Sequence, residues 1–441
     1  MHLPHTFRRL AGANHRRRVL LAWSEHWRRR SLFVIGGIAV GACAALLARL
    51  ADLAQHLFAA TEAAYQWLPW LLTPIGFGVS AFIAGRWFPN SQGSGIPQTI
   101  AAHRTADPQR RGRLVSLKVA FGKLALTLLG LLCGASAGRE GPTVQIGAAI
   151  MFAAGKLTQR AQSGLIVAGG AAGVAAAFNA PLAGIMFGIE EMSRSFERHT
   201  IGLILAAVIT AGLTAMAILG NYTYFGSTSA SIGRADWFAV ILCGLVGGMA
   251  GGMFSRMIIA AGNALWIRRI ISGPKLGAVR FATLCGLGVV VCGALSHNSV
   301  YGTGYSEVRA AMDGEGSLHP SFVLLKFSAT VLTSISGIPG GIFSPSLSIG
   351  AGLGADLAPL LGAVDIHALM LLGMVAYLAG VVQAPITAFV IVNEMTDDRA
   401  MLMPLMAAAL LAHGASRLIC REGVYHSLAR KFLDNRSTHS I

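Results

Sequence analysis

The segment Gly138-Arg139-Glu140-Gly141-Pro142 sets a base and an acid at the end of an apolar run that starts at Leu124. A charged side chain at bilayer depth costs about 2.5–3.5 kcal/mol on insertion scales, so such residues are usually functional. Two readings fit. In one, Arg139 and Glu140 form an ion pair at the membrane edge. In the other, Glu140 stands at the N-terminus of a helix starting near Pro142. A helix N-terminus presents unpaired N–H groups and a partial positive charge, and so holds anions. The Glu140 carboxylate would occupy the place an anion would take, and protonation would free that place.

Other segments offer related chemistry. In Gly93-Ser94-Gly95-Ile96-Pro97 the glycines allow close backbone approach, and Pro97 suits a helix start. The Ser94 hydroxyl can donate a further hydrogen bond; a plain loop turn is the alternative. Gly340-Gly341-Ile342-Phe343-Ser344-Pro345 keeps the Gly-rich lead before a proline without the acid. There the Ile342 and Phe343 amides would face the same site, or the segment is a structural Gly-Pro break. Glu190 and Glu191 end an apolar run. Neighbours on a helix lie about 100° apart, so one is expected to pack inward and the other to reach water. Lys123 and Lys326 are lone bases in apolar stretches, which would raise the potential near an anion path or snorkel to the interface. Gly134-Ala135-Ser136-Ala137-Gly138 fits the nucleophile-elbow pattern, but that motif needs a strand-to-helix turn and His and Asp partners. Close packing of small residues explains it better.

The elements that must position these residues are membrane helices. A span needs about 20 mainly apolar residues. Candidate runs are Leu32–Leu50, Trp67–Ile83, Val115–Ala137, Leu165–Ile189, Ile201–Leu219, Trp237–Ile259, Phe281–Leu295, Phe322–Ile335, Leu369–Val392 and Leu402–Leu418. Gly93–Pro97, Gly138–Pro142, Ala180–Pro181, Gly337–Pro345 and Ala384–Pro385 interrupt the pattern. Broken helices are tolerated at membrane depth only where they are buried in protein or line a water-filled path. This favours a transporter or channel over simple anchors.

The interruptions also repeat in order. Gly93-Ser94-Gly95 has a counterpart in Gly302-Thr303-Gly304. Lys123 matches Lys326 and Gly138–Pro142 matches Gly341–Pro345, both at an offset of 203; Ala180-Pro181 with Glu190 matches Ala384-Pro385 with Glu394 at 204. Repeated halves with matching breaks place a binding site at their interface. The expected division is a basic segment 1–30, a membrane domain 31–430 with halves 31–225 and 236–430, and a short tail 431–441. The polar stretch Asn221–Asp236 would separate the halves. Residues 1–30 carry eight arginines against Glu25. They read as a lead-in held on the cytoplasmic side, along the membrane surface in one arrangement, and not as a cleaved signal.

Composition agrees. Hydrophobic residues make up 54% of the 441 and charged residues 12%, half of the roughly 25% of soluble domains. The mean hydropathy is +0.61. A soluble enzyme and a disordered chain are both excluded on these numbers. The net charge of +16 would suggest nucleic acid in a soluble protein. Here the bases flank apolar runs, as in cytoplasmic loops, so no nucleic-acid partner is expected. The six cysteines form no C-x-x-C pair, and neither a disulfide framework nor a zinc site is indicated.

Taken together, Gly93–Pro97, Gly138–Pro142, Gly340–Pro345 and a later Tyr425 resemble the CLC family of chloride channels and proton/chloride antiporters. Phe178-Asn179-Ala180-Pro181-Leu182-Ala183-Gly184 and Asn393-Glu394-Met395-Thr396-Asp397 extend the resemblance, which spans about residues 31–430. It implies an all-α integral membrane fold of two inverted-topology repeats of tilted, broken helices. It also implies a homodimer in a lipid bilayer, with one anion pathway per subunit. By position, Ser94 and Tyr425 would donate hydroxyls to the central chloride, and the Ile342 and Phe343 amides would complete that site. Glu140 would be the gating glutamate, and Glu191 the second, cytoplasmic-side glutamate of antiporters. Uncoupled channels usually carry a non-acid there.

Departures from the family pattern are informative. Gln98 and Ile100 stand where well-known bacterial exchangers resembling this chain carry acids, so the inner proton route is expected to differ. Ser94 and Pro142 are kept, which resembles chloride-type and not fluoride-type members. A soluble nucleotide-binding tail, frequent in the family, is not expected. The resulting expectation is a chloride/proton antiporter of a bacterial inner membrane, with both termini cytoplasmic, needing no redox cofactor or metal. It is expected to be a transporter and not an enzyme. A passive voltage- or pH-gated chloride channel on the same scaffold is the alternative; a membrane-embedded Ser hydrolase and a pure scaffold or receptor compete from other classes.

Overall fold

The structure, a computed structural model, describes residues 5–156, 162–193, 198–220, 225, 230–264, 267, 276–362, 364–396 and 398–434. For 5–30, 162, 198–201, 203 and 234 it describes the backbone alone. The chain is an all-α membrane protein. Its first half comprises α1 (His5–Ala64), α2 (Pro69–Arg86), α3 (Ile96–Arg104), α4 (Pro108–Leu114), α5 (Leu117–Leu132), α6 (Glu140–Lys156), α7 (Gln162–Phe178), α8 (Pro181–Phe187) and α9 (Arg198–Leu219). A π-helical turn, Gly188–Ser193, continues α8. The second half comprises α10 (Trp237–Asn263), α11 (Gly277–Leu295), α12 (Tyr305–Met312), α13 (Phe322–Ile335), α14 (Phe343–Leu361), α15 (Ile366–Val382), α16 (Pro385–Thr396), α17 (Leu402–Ile419) and α18 (Val424–Asp434). Among the described residues, five helical stretches are long and apolar enough to cross a membrane.

The halves repeat each other. The helices opening at Leu117, Glu140, Gln162, Pro181 and Arg198 have counterparts opening at Phe322, Phe343, Ile366, Pro385 and Leu402. Packing repeats with them. α6 lies on α7 through Gly147 and Gly169, where a methyl group on either would collide with the other's carbonyl; α14 lies on α15 through Gly350 and Gly373 in the same way. Small residues permit that approach between membrane helices. The repeats meet at their equivalent loops. Gly138 and Gly341 exchange two backbone hydrogen bonds of 2.8 Å in an antiparallel bridge. Equivalent residues paired antiparallel lie on a local two-fold axis, as inverted repeats require. Beside it, Gly93 donates to Ile338 O and accepts from Gly340 N, each at 3.1 Å.

Hydropathy finds some elements and misses others. The run Leu165–Ile189 breaks at Asn179 (φ 53°), and the run Leu369–Val392 at Gln383 (φ 59°). Each break precedes an Ala-Pro pair, and a proline disfavours helical geometry in the residue before it. α6 and α14 are not among the expected spans. They carry Gly, Ser, Thr and Gln and are mostly buried in protein, so no lipid-facing apolar stripe is needed. Likewise α1 continues well past Leu50. Of the expected terminal segments, the backbone from His5 onward is continuous with α1, and α18 runs on to Asp434. Residues 435–441 and half of the expected boundary stretch (221–224 and 226–229) lie outside the described residues.

Candidate functional site

The Ser94 loop is built for exposure of one hydroxyl. Gly95 takes a left-handed φ of 96° and caps α3, whose first turn contains Pro97. Lys123, fully buried on α5, donates to Gly93 O at 2.7 Å. Thus the lysine neither snorkels nor faces an open path; it holds loop carbonyls. Lys326 repeats the arrangement, donating to Val300 O and Gly302 O at 2.9 Å each. The two loops then diverge. Thr303 Oγ1 and N are both taken by Gln55 Oε1. Ser94 Oγ is buried and makes no well-formed hydrogen bond among the described residues. It sits over Gly141, where any side chain would strike it.

Glu140 opens α6 and is fully buried. Its Oε1 accepts from Ser344 Oγ at 2.6 Å. Ser344 lies in the first turn of α14, so the carboxylate reaches from one helix start to the other. The first four N–H groups of a helix have no intrahelical acceptor. Those of α14 begin at Phe343, with Ile342 in the capping position. Arg139 does not pair with Glu140. Its Nη1 donates to Asp52 at 2.6 Å and to Ala48 O at 2.8 Å, both on α1. Of the two readings, the neighbour ion pair is thus replaced by one to a different helix, and Glu140 faces the other half.

Tyr425 is wholly buried at the start of α18. Arg110 anchors the far end of that helix through Phe432 O and Leu433 O. The Phe343 ring packs on Tyr425 at a centroid distance of 5.8 Å, on Phe178 at 5.7 Å and on Phe187 at 6.1 Å. The Ser94 and Tyr425 hydroxyls face each other, yet neither makes a well-formed hydrogen bond. Buried polar groups are nearly always satisfied. Two facing hydroxyls near the starts of α3 and α14 leave hydrogen-bond donors of the kind an anion would need.

Of the adjacent acids, Glu191 packs inward as expected of one of them, and Glu190 is half-buried. Glu190 accepts from Ile386 N (3.2 Å), Thr387 N (2.7 Å) and Thr387 Oγ1 (2.8 Å) at the start of α16. Glu191, 1% exposed, lies 2.9 Å from His426 Nδ1. The π-helical turn departs from the 100° spacing assumed for an α-helix, and such turns recur at functional sites. Of the expected acids' replacements on α3, Ile100 is buried, and Gln98 donates to Gln92 O at 2.6 Å.

The structure thus gathers Ser94, Glu140, Ile342, Phe343 and Tyr425 around the meeting loops, with Glu191 one step away beside His426. Two residues of this constellation are not singled out by sequence patterns. Ser344 had a signal, since it precedes Pro345 within the repeated motif. His426 had none beyond standing next to Tyr425. Ser136 is buried and bonded to Thr330 Oγ1 at 3.0 Å, a packing role. Among the described residues, no group of three or more His, Cys, Asp or Glu side chains could hold a metal ion.

Comparison with known proteins gives concordant results. A family model described as voltage gated chloride channel matches residues 76–417. The H(+)/Cl(-) exchange transporter ClcA of Yersinia pestis bv. Antiqua (strain Angola) is 31% identical over 420 residues, covering 86% of this chain and 82% of the relative. The protein of the same name from Vibrio parahaemolyticus serotype O3:K6 (strain RIMD 2210633) is 30% identical over 446 residues, covering 92% and 90%. Among solved structures, a slow cyanobacterial Cl-/H+ antiporter superposes with a TM-score of 0.81 at 26% identity, over 93% of this chain and 99% of that one.

Proposed function

The chain belongs to the voltage gated chloride channel family, and on that premise we propose that it is a secondary active transporter exchanging chloride for protons. One observation carries the reading. The Glu140 carboxylate lies against the first turn of α14, near two buried hydroxyls that make no well-formed hydrogen bond among the described residues. A carboxylate and a halide compete for such a place.

The steps use this chain's own groups. Chloride sits between the Ser94 and Tyr425 hydroxyls and the amides of Ile342 and Phe343. Glu140, while ionised, holds the adjoining anion position through Ser344. Protonation discharges it, weakens its hold on the helix dipoles, and lets the side chain leave as an anion enters. Glu191 passes protons between the cytoplasmic side and Glu140. Chloride and protons move in opposite directions because one location admits either the anion or the carboxylate.

A passive chloride channel on the same scaffold is the second reading. The burial of Glu191 against a titratable partner favours exchange, since a pore needs no buried acid off the anion path. The test is purified protein in liposomes under a chloride gradient. Exchange predicts uphill proton movement driven by chloride, and Glu191→Ala should abolish it while anion flux continues. Chloride flux with no proton movement in the unsubstituted protein would make it a channel. We further propose placement in a bacterial inner membrane with both termini cytoplasmic, and a homodimer with one pathway per subunit. Protease accessibility and cross-linking in vesicles test these.

A further inference from the structure

We propose that His426 is the proton-relaying partner of Glu191, so that the inner proton site is a carboxylate–imidazole pair. The inference rests on the exchange reading above. His426 is 4% exposed and Glu191 1%, and their side chains meet at 2.9 Å through Nδ1 and Oε1. An ionised carboxylate only accepts hydrogen bonds, so Nδ1 carries the proton in that state. Nε2 is then the basic nitrogen. It is buried and has no hydrogen-bond partner among the described residues. An imidazole held this way, one nitrogen on an acid and the other unserved, can take a proton on one side and release one on the other.

The step balances. A proton arriving from water binds Nε2. The Nδ1–H bond breaks as an O–H bond forms on Glu191. The pair goes from carboxylate and Nδ1–H imidazole, net charge −1, to carboxylic acid and Nε2–H imidazole, net charge zero. Reversal returns the proton to water.

The surroundings leave few rivals. Tyr425 neighbours His426 on α18, which Arg110 of α4 and Phe343 of α14 also touch; the helices packed more broadly against it are α3, α10 and α15. Their ionisable groups are His103 and Arg104 on α3, Cys243 and Arg256 on α10, and His367 and Tyr377 on α15. No carboxylate stands on any of these three helices. Glu190, beside Glu191, is taken up by α16. On α18 and its lead-in, Glu422 pairs with Arg430 at the exposed surface, so His426 and Glu191 are the buried acid–base couple of this region.

The experiment compares His426→Asn, His426→Ala and unsubstituted protein in liposomes, reading chloride and proton flux together. The asparagine side chain can still donate to Glu191 from near the Nδ1 position but cannot relay. The expected result is at least a tenfold fall in chloride-driven proton flux for both variants, with chloride flux continuing. The dependence of proton flux on inner pH should flatten, and added imidazole should restore proton flux in the alanine variant. Proton flux and pH profile unchanged in His426→Asn would reduce His426 to a hydrogen-bond donor and overturn the proposal. Loss of chloride flux in both variants would make His426 a structural residue and overturn it equally. If the unsubstituted protein moves no protons, the exchange reading itself fails, an outcome visible before any variant is compared.

Discussion

Glu190 and Glu394 each serve the other's repeat. Glu190, in the first half, receives the N–H groups of Ile386 and Thr387 at the start of α16. Glu394, in the second half, receives those of Leu182 (3.1 Å) and Ala183 (2.7 Å) at the start of α8. Both helices begin at a proline after a break; the proline has no N–H, and the amides just after it lack intrahelical acceptors. Carboxylates also suit the positive end of the helix dipole. The exchange ties the two broken helices together across the pseudo-two-fold axis.

Replacing either acid by alanine should therefore destabilise the fold by a similar amount. Each substitution strands two or more partly buried donors, at about 1–3 kcal/mol. Denaturant unfolding in detergent should show matched losses for Glu190→Ala and Glu394→Ala. The double variant should lose nearly the sum, because each acid serves a separate helix start. A loss confined to one of them would mean that the caps are not equivalent.

The Ser94 and Tyr425 hydroxyls make the opposite prediction for stability. Neither makes a well-formed hydrogen bond among the described residues, so Ser94→Ala and Tyr425→Phe should leave unfolding nearly unchanged. Each should weaken halide binding instead. A hydrogen bond to a charged group contributes about 1.5–3 kcal/mol, which is roughly 10- to 150-fold in affinity. Bromide titration calorimetry reads this directly. Unchanged affinity in both variants would move the anion elsewhere.

Much of this was legible in the residues themselves. Glycine and proline mark where helices must break, so the motifs at Gly93, Gly138, Gly340 and Ala180 were readable, and their common offset exposed the repeat. Glu140 was readable because a charge in an apolar setting is costly. The helices α6 and α14 were not, because hydropathy detects contact with lipid and these two are wrapped in protein. Nor were the partners of the acids. Ser344 is 204 residues from Glu140, and His426 is 235 from Glu191. Such pairs depend on how the halves dock, which no local pattern encodes.

Symmetry in the scaffold with asymmetry at the site gives a sharper test through the two lysines. Lys123 holds the loop that presents Ser94, and Lys326 holds the loop that presents Thr303. Lys123→Met and Lys326→Met should each cost about 1–3 kcal/mol of stability, from stranded carbonyls. Only Lys123→Met should also weaken bromide binding, since the Thr303 hydroxyl is already occupied by Gln55. Equal binding losses would mean that the second loop also faces an anion.

The most direct prediction concerns Glu140 itself. Its carboxylate is buried, and it accepts a 2.6 Å hydrogen bond from Ser344 at a helix start. The hydrogen bond and the helix start hold the carboxylate in place. Adding a proton removes the charge that the donors and dipoles hold, and so favours departure. Turnover of the unsubstituted protein should accordingly rise as pH falls. Glu140→Gln keeps the size of the side chain and removes its charge. The charge-assisted bond is worth about 1.5–3 kcal/mol, so anion occupancy at this position should rise by roughly 10- to 150-fold. Chloride flux in the variant should become flat with pH, and chloride-driven proton movement should vanish, because no carboxylate then alternates with the anion. Proton coupling retained in Glu140→Gln would separate this residue from the exchange step and assign its burial to packing alone.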